Sequence, residues 1–244
     1  MKLQSVLTQR LLLLAAIVAG STMAISPAEA ASFAYASAAL DIRGLLSDST
    51  ESTVKGKSDR YFTIAQANPT TTLSILPTTD FAFDFTASLN LQTLVDNPDL
   101  ENARTAGEVA FSLFDTNSGQ LLDTFSIFGF LNTLGGDFLS SPDRSGFVQI
   151  TSLDQKTDFS PTQSRESAST IVRGIYSRKF ENAVALTLVA GEFSQACAQA
   201  PKAPNPCVQV PESSNTFALL FLGSSVGVVS GLRRRSVKKR LVEA

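Results

Sequence analysis

Carboxylates are the main chemical groups that this sequence offers, because its 244 residues include no His. Without His, a Ser-His-Asp triad, the usual zinc sites and His-based proton transfer are excluded. No Gly-rich phosphate loop or dinucleotide-binding fingerprint occurs either. Two carboxylates are enough for glycoside hydrolysis when they lie about 5 to 10 Å apart across a sugar cleft. Paired acids are therefore the first candidates for a site.

Two pairs of aspartates have spacings that suit a shared face. Asp80 and Asp84 lie four residues apart in a Phe-rich segment, and Asp115 and Asp123 flank a predicted turn. The alternative is that all four are solvated, because antiparallel strands commonly keep one face in water. Sugar clefts also present aromatic platforms, yet the chain has no Trp and only three Tyr. We favour solvated acids and expect no catalytic residue.

One loop offers oxygen-bearing side chains that calcium could use. Asp96, Asn97, Asp99 and Glu101 lie close together in the sequence, although their spacing differs from that of an EF-hand. A short helix over residues 97–104, capped by Asp99, explains the same residues. We expect no cofactor, with calcium at this loop as the alternative.

The two cysteines, Cys197 and Cys207, lie ten positions apart in a Pro-rich stretch. A single disulfide that closes a short loop is the simplest interpretation in an oxidising compartment. The alternative is a thiol pair for metal or redox chemistry, but no His co-ligand exists and the spacing is not Cys-x-x-Cys. The sequence therefore predicts a disulfide.

Alternating residues predict the strands that would position these side chains. Phe81, Phe83 and Phe85 alternate with small or polar residues, so they share one face, which must be buried. Further strands are predicted at residues 33–42, 61–65, 71–76, 147–153, 171–176 and 183–189. Short strands with polar connections indicate one all-β domain at residues 31–193, an antiparallel β-sandwich of jelly-roll type.

A hairpin is predicted where residues 109–115 and 121–130 flank an Asn-Ser-Gly turn, whose residues tolerate positive φ. Its second strand includes Phe125, Phe128 and Phe130, which cannot all lie on one face. We expect a central strand buried on both faces. The alternative is an exposed patch for self-association.

Polar stretches are predicted to connect or follow the strands. Residues 47–60 and 154–169 are rich in Ser, Thr and Asp, and we expect mobile loops there. Residues 194–209 are rich in Ala, Pro and Gln, and we expect an extended spacer after the domain.

Residues 1–30 have the pattern of a cleavable signal peptide. Two basic residues precede an apolar run at residues 11–19, and Ala28 and Ala30 form a small-residue cleavage site. The apolar run is too short to span a bilayer, which disfavours an N-terminal anchor. We expect export and a mature chain that begins at Ala31.

The segment between the two ends is acidic. From residue 31 to residue 211, 12 Lys and Arg oppose 19 Asp and Glu, a net charge of −7. Such a surface repels phosphate backbones, so we expect no nucleic acid partner.

The C-terminus has three parts in order. Val210, Pro211 and Glu212 come first, an uncharged apolar run follows at residues 216–232, and basic residues close the chain. The apolar run corresponds to about 25 Å of helix, enough for a thin bilayer. A transmembrane helix is therefore predicted, with the arginines after it and the tail at residues 236–244 in the cytoplasm.

These parts resemble the bacterial PEP-CTERM sorting signal, which has a Val-Pro-Glu-Pro-like motif, an apolar helix often containing Leu-x-x-Leu-Gly, and an arginine cluster. The motif is matched by Val210, Pro211 and Glu212, while Ser213 replaces the second proline. Residues 219–223 stand where the family has its leucine and glycine residues. The arginine cluster is matched by Arg233, Arg234 and Arg235. The resemblance covers only residues 210–235.

The resemblance implies sorting by an exosortase, in a bacterium that makes extracellular polysaccharide. The expected protein is a non-enzymatic surface or matrix protein, held in the membrane at least transiently and then located at the cell surface or outside. Its expected partners are the secretion machinery, the exosortase, the membrane and an extracellular polysaccharide. The alternatives are a carbohydrate-binding module or weak glycosidase, and a single-pass membrane protein whose tail is not cleaved.

Overall fold

The computed structural model describes residues 32–56, 60–98, 101–159 and 164–199. The predicted cleavage residues Ala28, Ala30 and Ala31, the sorting signal at residues 210–235 and Cys207 lie outside these ranges, and they remain predictions. The strands of the described residues are, in chain order, β1 (Ser32–Ile42), β2 (Leu46–Gly56), β3 (Arg60–Ala67), β4 (Thr70–Ile75), β5 (Thr79–Val95), β6 (Asn102–Asp115), β7 (Leu121–Asn132), β8 (Phe138–Leu139), β9 (Asp143–Arg144), β10 (Val148–Phe159), β11 (Arg165–Phe180) and β12 (Val184–Gln199).

The strands form two antiparallel sheets. The order in the first sheet is β10-β11-β5-β1-β2, and the order in the second sheet is β3-β12-β6-β7-β8. β4 continues the line of β3 along β12, and β9 pairs with β7 beside β8. The two sheets pack face to face, with β1 and β5 of the first against β12 and β6 of the second. The predicted all-β sandwich is confirmed at this level.

The Phe-rich strand supplies the centre of the core. β5 is longer than predicted, and its inward face carries Phe83 and Phe85, both buried, with Phe81 partly buried beside them. The ring centroids of Phe83 and Phe85 lie 5.6 and 5.2 Å from that of Phe111 on β6. These edge-to-face contacts between the sheets stabilise the sandwich beyond the burial of apolar area. The prediction that this face is buried is confirmed.

The predicted hairpin joins β6 and β7. Gly119 in its turn has a φ of 70°, a conformation that costs glycine little. Asp115 Oδ1 accepts hydrogen bonds from the backbone amides of Asn117 and Ser118, each at 2.8 Å. The carboxylate of Asp115 therefore shapes the turn.

Several predicted loops are strands. Residues 47–56 lie in β2, which pairs with β1, and most of residues 154–169 lie in β10 and β11, which pair with each other. Both segments are polar because β2 is an edge strand with small polar inward residues and β10 is an edge strand exposed along most of its length. Backbone pairing with the neighbouring strand, rather than an apolar face, defines them.

Two further predictions are wrong in their described parts. The helix expected at residues 97–104 is absent from residues 102–104, because β6 begins at Asn102 and pairs with β12 and β7. The spacer expected from residue 194 is wrong for residues 194–199, because β12 continues to Gln199 between β3 and β6.

Glycines bring the sheets close together near the centre. Gly107 of β6 and Gly129 of β7 lie opposite each other in the second sheet. A Cβ at Gly107 would lie 2.4 Å from Leu89 Cδ1, and a Cβ at Gly129 would lie 2.7 Å from Leu91 Cδ1. The two leucines of β5 therefore pack directly on the backbone of the opposite sheet.

We expect a methyl group at Gly174 of β11 to destabilise the sandwich. Its Cβ would lie 2.5 Å from the Phe85 ring and 2.8 Å from the carbonyl oxygen of Gln149, and a backbone oxygen cannot rotate away. Gly174→Ala should lower the free energy of unfolding by about 1–3 kcal/mol, measured by equilibrium denaturant titration. Gly146, which has no atom within 4 Å of an added Cβ, gives the control: Gly146→Ala should change stability by less than about 0.5 kcal/mol. Equal stabilities of the two variants would contradict this account of the packing.

Candidate functional site

The first predicted acidic pair is exposed. Asp80 and Asp84 lie on the outer face of β5. Arg43 Nη1 lies 3.7 Å from Asp84 Oδ2, and both side chains are largely in solvent. Ion pairs of this kind contribute little to stability. For these two residues the solvated interpretation is confirmed.

The second predicted pair is divided between two environments. The pKa of Asp115 lies below its ordinary value, mainly because its carboxylate accepts a hydrogen bond from the Ser118 amide. Asp123 is 2% exposed, so the prediction of a solvated side chain was wrong for this residue. Asp123 faces the interior because it has the same strand parity as Phe125 and Ile127 on β7.

Asp123 binds two side chains from the opposite sheet. Tyr176 Oη donates a hydrogen bond to Asp123 Oδ2 at 2.8 Å, and Arg178 Nη1 donates to the same oxygen at 2.8 Å. Both donors lie on β11, so this cluster joins β7 of the second sheet to β11 of the first. Burial, followed by the hydrogen bond to Asp123, raises the pKa of Tyr176, and the phenol stays protonated.

Aromatic rings hold Arg178 in place. Its guanidinium Cζ lies 4.6 Å from the ring centroid of Phe147 and 5.2 Å from that of Phe180, distances that suit cation–π contacts. The charge of Asp123 is therefore balanced inside the molecule, and the cluster works as a connection between the sheets.

A carboxyl pair that the sequence analysis missed lies further back along β11. Glu166 is 1% exposed, and Thr93 Oγ1 donates to Glu166 Oε2 at 3.1 Å. The carboxyl of Asp137 lies within hydrogen-bond reach of Glu166. Burial, and then the charge of Asp137, raises the pKa of Glu166 to about 7. The surroundings of Glu166 therefore favour its protonated form.

A tight loop after β7 positions Asp137. The Asn132 amide donates to Asp137 Oδ1 at 2.8 Å, and Asn132 Nδ2 donates to the carbonyl oxygen of Gly135 at 2.9 Å. The loop carries the carboxyl of Asp137 from the second sheet to β11 of the first.

Two more acids are buried in the second sheet. Glu192 of β12 is fully buried, and neither of its carboxyl oxygens has a hydrogen-bond partner on another residue. Burial, followed by the charge of Asp48, raises the pKa of Glu192 to about 8. Glu108 of β6 is buried on the opposite face of that sheet, and burial raises its pKa to about 7. The parity of β12 could have revealed Glu192, because Leu188 and Ala190 face inward at the same spacing.

The aromatic run of β7 is split between its two faces. Phe125 faces the core and is 1% exposed. Phe128 and Phe130 lie half-buried on the outer face, where the guanidinium of Arg104 lies 5.6 Å from the Phe130 ring centroid. The prediction of a central strand buried on both faces was wrong, because Phe128 and Phe130 keep part of their surface in solvent.

The remaining predicted residues are placed as follows. Glu101 Oε2 accepts hydrogen bonds from the amides of Asp96 and Asn97 at 3.0 and 3.3 Å, so the carboxylate of the candidate calcium loop closes that loop. Asp99, which belongs to the same loop, lies outside the described residues.

Cys197 is buried on β12 and disulfide-bonded.

The described residues have neither a metal-binding cluster nor a membrane-spanning helix, and the chain matches no known protein. In the described ranges, no group of three or more His, Cys, Asp or Glu is arranged to hold a metal ion. The same part of the chain includes no helix that is long and apolar enough to cross a membrane. No protein-family model, curated protein or solved structure matches the chain. Function must therefore be inferred from the residues of this chain.

We expect Asp123→Asn to destabilise the protein far more than Asp84→Asn. The first substitution leaves Arg178 without its counter-ion inside the sandwich. It should lower the free energy of unfolding by about 2–4 kcal/mol. The second removes a partner from an ion pair in which both side chains are exposed, and it should cost less than about 1 kcal/mol. Equilibrium unfolding of both variants in one buffer makes the comparison. A difference of less than about 1 kcal/mol would show that the buried cluster does not hold the sheets together.

We expect Glu166 to make the fold less stable as pH rises. Its pKa in the fold, about 7, lies above the ordinary value, so its stabilising contribution is present at low pH and is lost as pH rises through that folded value. Glu166→Gln should therefore make the decline of the unfolding midpoint between about pH 4.5 and 8 less steep, while Glu108 and Glu192, whose pKa values are also raised, supply the remainder. Glu181, an exposed acid paired with Lys179, provides the control: Glu181→Gln should keep the wild-type decline. If both variants keep the full wild-type decline with pH, the titration of Glu166 does not contribute to it.

Proposed function

We propose that this chain is an exported, non-enzymatic surface or matrix protein that an exosortase sorts and that associates with extracellular polysaccharide. The order of segments carries the proposal. A signal-peptide pattern precedes residue 31, and Val210, Pro211 and Glu212, an apolar run and an arginine cluster follow the sandwich. This order delivers a folded domain across a membrane and then presents a tail for processing.

The arrangement of acids in the sandwich supports a structural role. Asp123 is neutralised by Arg178, and Glu166 is in contact with Asp137. The exposed Asp84 pairs with Arg43. Each of these acids thus interacts with a neighbouring side chain of the fold.

The connection between domain and tail also suits the proposal. β12 ends at Gln199 and is paired on both sides, with β3 and β4 along one edge and β6 along the other. Within the proposal, residues 200–209 form a Pro-rich spacer of up to about 30 Å. The sandwich would thereby stand clear of the membrane while its tail is recognised.

The first experiment is the intact mass of the mature protein recovered from its native host. We expect a chain that begins at Ala31 and ends at Pro211 or Glu212, because both predicted signals would then have been processed. A chain that begins at Ala31 and ends at Ala244 would show a single-pass protein with an uncleaved tail. A chain that retains residues 1–30 would contradict export through a cleaved signal.

Variants of the tail motif test how it is recognised. Glu212→Ala should leave the C-terminal segment attached, because it removes a residue that matches the sorting motif. Ser213→Pro introduces the second proline of the family motif. The C-terminal segment of this variant should therefore be removed at least as completely as that of the wild type. Shortening of Glu212→Ala to the wild-type mass would show that cleavage does not depend on this motif.

A further inference from the structure

A seam of polar side chains crosses the interior between β2 and β12. The inward positions of β2 include Asp48, Thr50 and Ser52, and those of β12 include Glu192 and Ser194. The apolar core is divided here into a large cluster and a small one. We call these five residues the polar seam.

Hydrogen bonds fix how the two sides of the polar seam face each other. Ser52 Oγ donates to the carbonyl oxygen of Ser194 at 3.0 Å, and Ser194 Oγ donates to Ser52 Oγ at 3.1 Å. Further along both strands, Val54 and Ala196 share the small apolar cluster. If this pairing is continued by two residues along each strand, it brings Thr50 opposite Glu192. Asp48 follows on β2, close enough for its charge to act on Glu192.

The oxygens at the centre of the polar seam have no partners on neighbouring residues. Both carboxyl oxygens of Glu192 and the hydroxyl of Thr50 are buried without a hydrogen bond to another residue, although the Glu192 carboxyl interacts with its own backbone amide. Thr50 is 7% exposed as a residue. None of the ion pairs among the described residues involves Glu192 or Asp48. A buried carboxylate without a counter-charge is costly, so a cation bound here would stabilise the ionised form of Glu192.

The polar seam lies at one side of the sandwich. Asp48 is exposed, and β2 forms one edge of the first sheet. The facing edge of the second sheet is interrupted beside Glu192, because β3 ends at Ala67, the pairing partner of Glu192, and β4 begins at Thr70. The site thus has a buried floor and a solvated rim.

We propose that the polar seam binds one divalent cation, with Ca²⁺ as the best fit, through the carboxylates of Glu192 and Asp48 and the hydroxyl of Thr50. Carboxylate and hydroxyl oxygens are the ligands that hard cations prefer, and water completes the coordination of Ca²⁺ at such sites. Mg²⁺ demands a near-ideal octahedron and gives up its water reluctantly. A side-chain set divided between two sheets favours the more flexible geometry of Ca²⁺. The bound ion neutralises Glu192 and ties the edge strand β2 to β12.

Titration of CaCl₂ into the full chain in detergent, followed by calorimetry and by thermal unfolding, tests this site. We expect one Ca²⁺ per chain with a dissociation constant of about 10⁻⁴ to 10⁻³ M, because only two carboxylates contribute. The unfolding temperature should be higher in CaCl₂ than in EDTA, and MgCl₂ should have a smaller effect. Asp48→Asn and Glu192→Gln should each weaken Ca²⁺ binding by about 10- to 100-fold.

The matched control is Glu51→Gln, which removes an exposed acid from the outer face of β2, and it should keep the wild-type affinity. Asp48 lies at the solvated rim, so Asp48→Asn tests the ligand without disturbing the core. Wild-type protein that shows no Ca²⁺-dependent change up to about 10 mM overturns the proposal. The proposal is also overturned if the Asp48→Asn and Glu192→Gln variants bind Ca²⁺ as tightly as the wild type does. The ion would then be bound elsewhere, such as at the loop of residues 96–101.

Discussion

The register between the two sheets is set where Leu89 and Leu91 of β5 rest on the backbone at Gly107 and Gly129. Because side chains larger than hydrogen do not fit at those two positions, the leucines have one place to pack. That register decides which inward residues meet across the interior. It places Ser52 beside Ser194, and it allows Thr105 Oγ1 to donate to the carbonyl oxygen of Tyr35 at 2.8 Å. Polar contacts between the sheets are therefore consequences of how the apolar centre packs.

Three of the buried acids in the described residues are accommodated differently, because different groups lie beside them. Asp123 accepts hydrogen bonds from a phenol and from a guanidinium, and the guanidinium supplies its counter-charge. Glu166 lies beside the carboxyl of Asp137, whose charge, after burial, raises the pKa of Glu166 to about 7. Glu192 lies near the carboxylate of Asp48, and burial followed by that charge raises its pKa to about 8. An internal cation thus balances Asp123, whereas the surroundings of Glu166 and Glu192 favour their protonated forms.

The sequence predicted the fold class because apolar alternation is strong where one face is buried, as in the Phe83 and Phe85 strand and in the hairpin of β6 and β7. It failed for β2, whose inward face carries Thr50 and Ser52, since a strand defined by pairing with β1 has no apolar period to detect. The Glu166 and Asp137 pair was also beyond sequence reasoning. Those residues come from different sheets, and only the loop after β7 brings them together.

The last described strand is held on both of its sides. β12 is hydrogen-bonded along its length to β3 and β4 on one side and to β6 on the other, and it ends at Gln199. A pull on the chain after Gln199 therefore loads backbone hydrogen bonds on both edges of a central strand at once, whereas a pull on an edge strand would open one ladder pair by pair. β1 is likewise paired on both sides, with β2 and β5. The first and last described strands are thus interior strands of different sheets, and contacts between their inward faces hold the two sheets together.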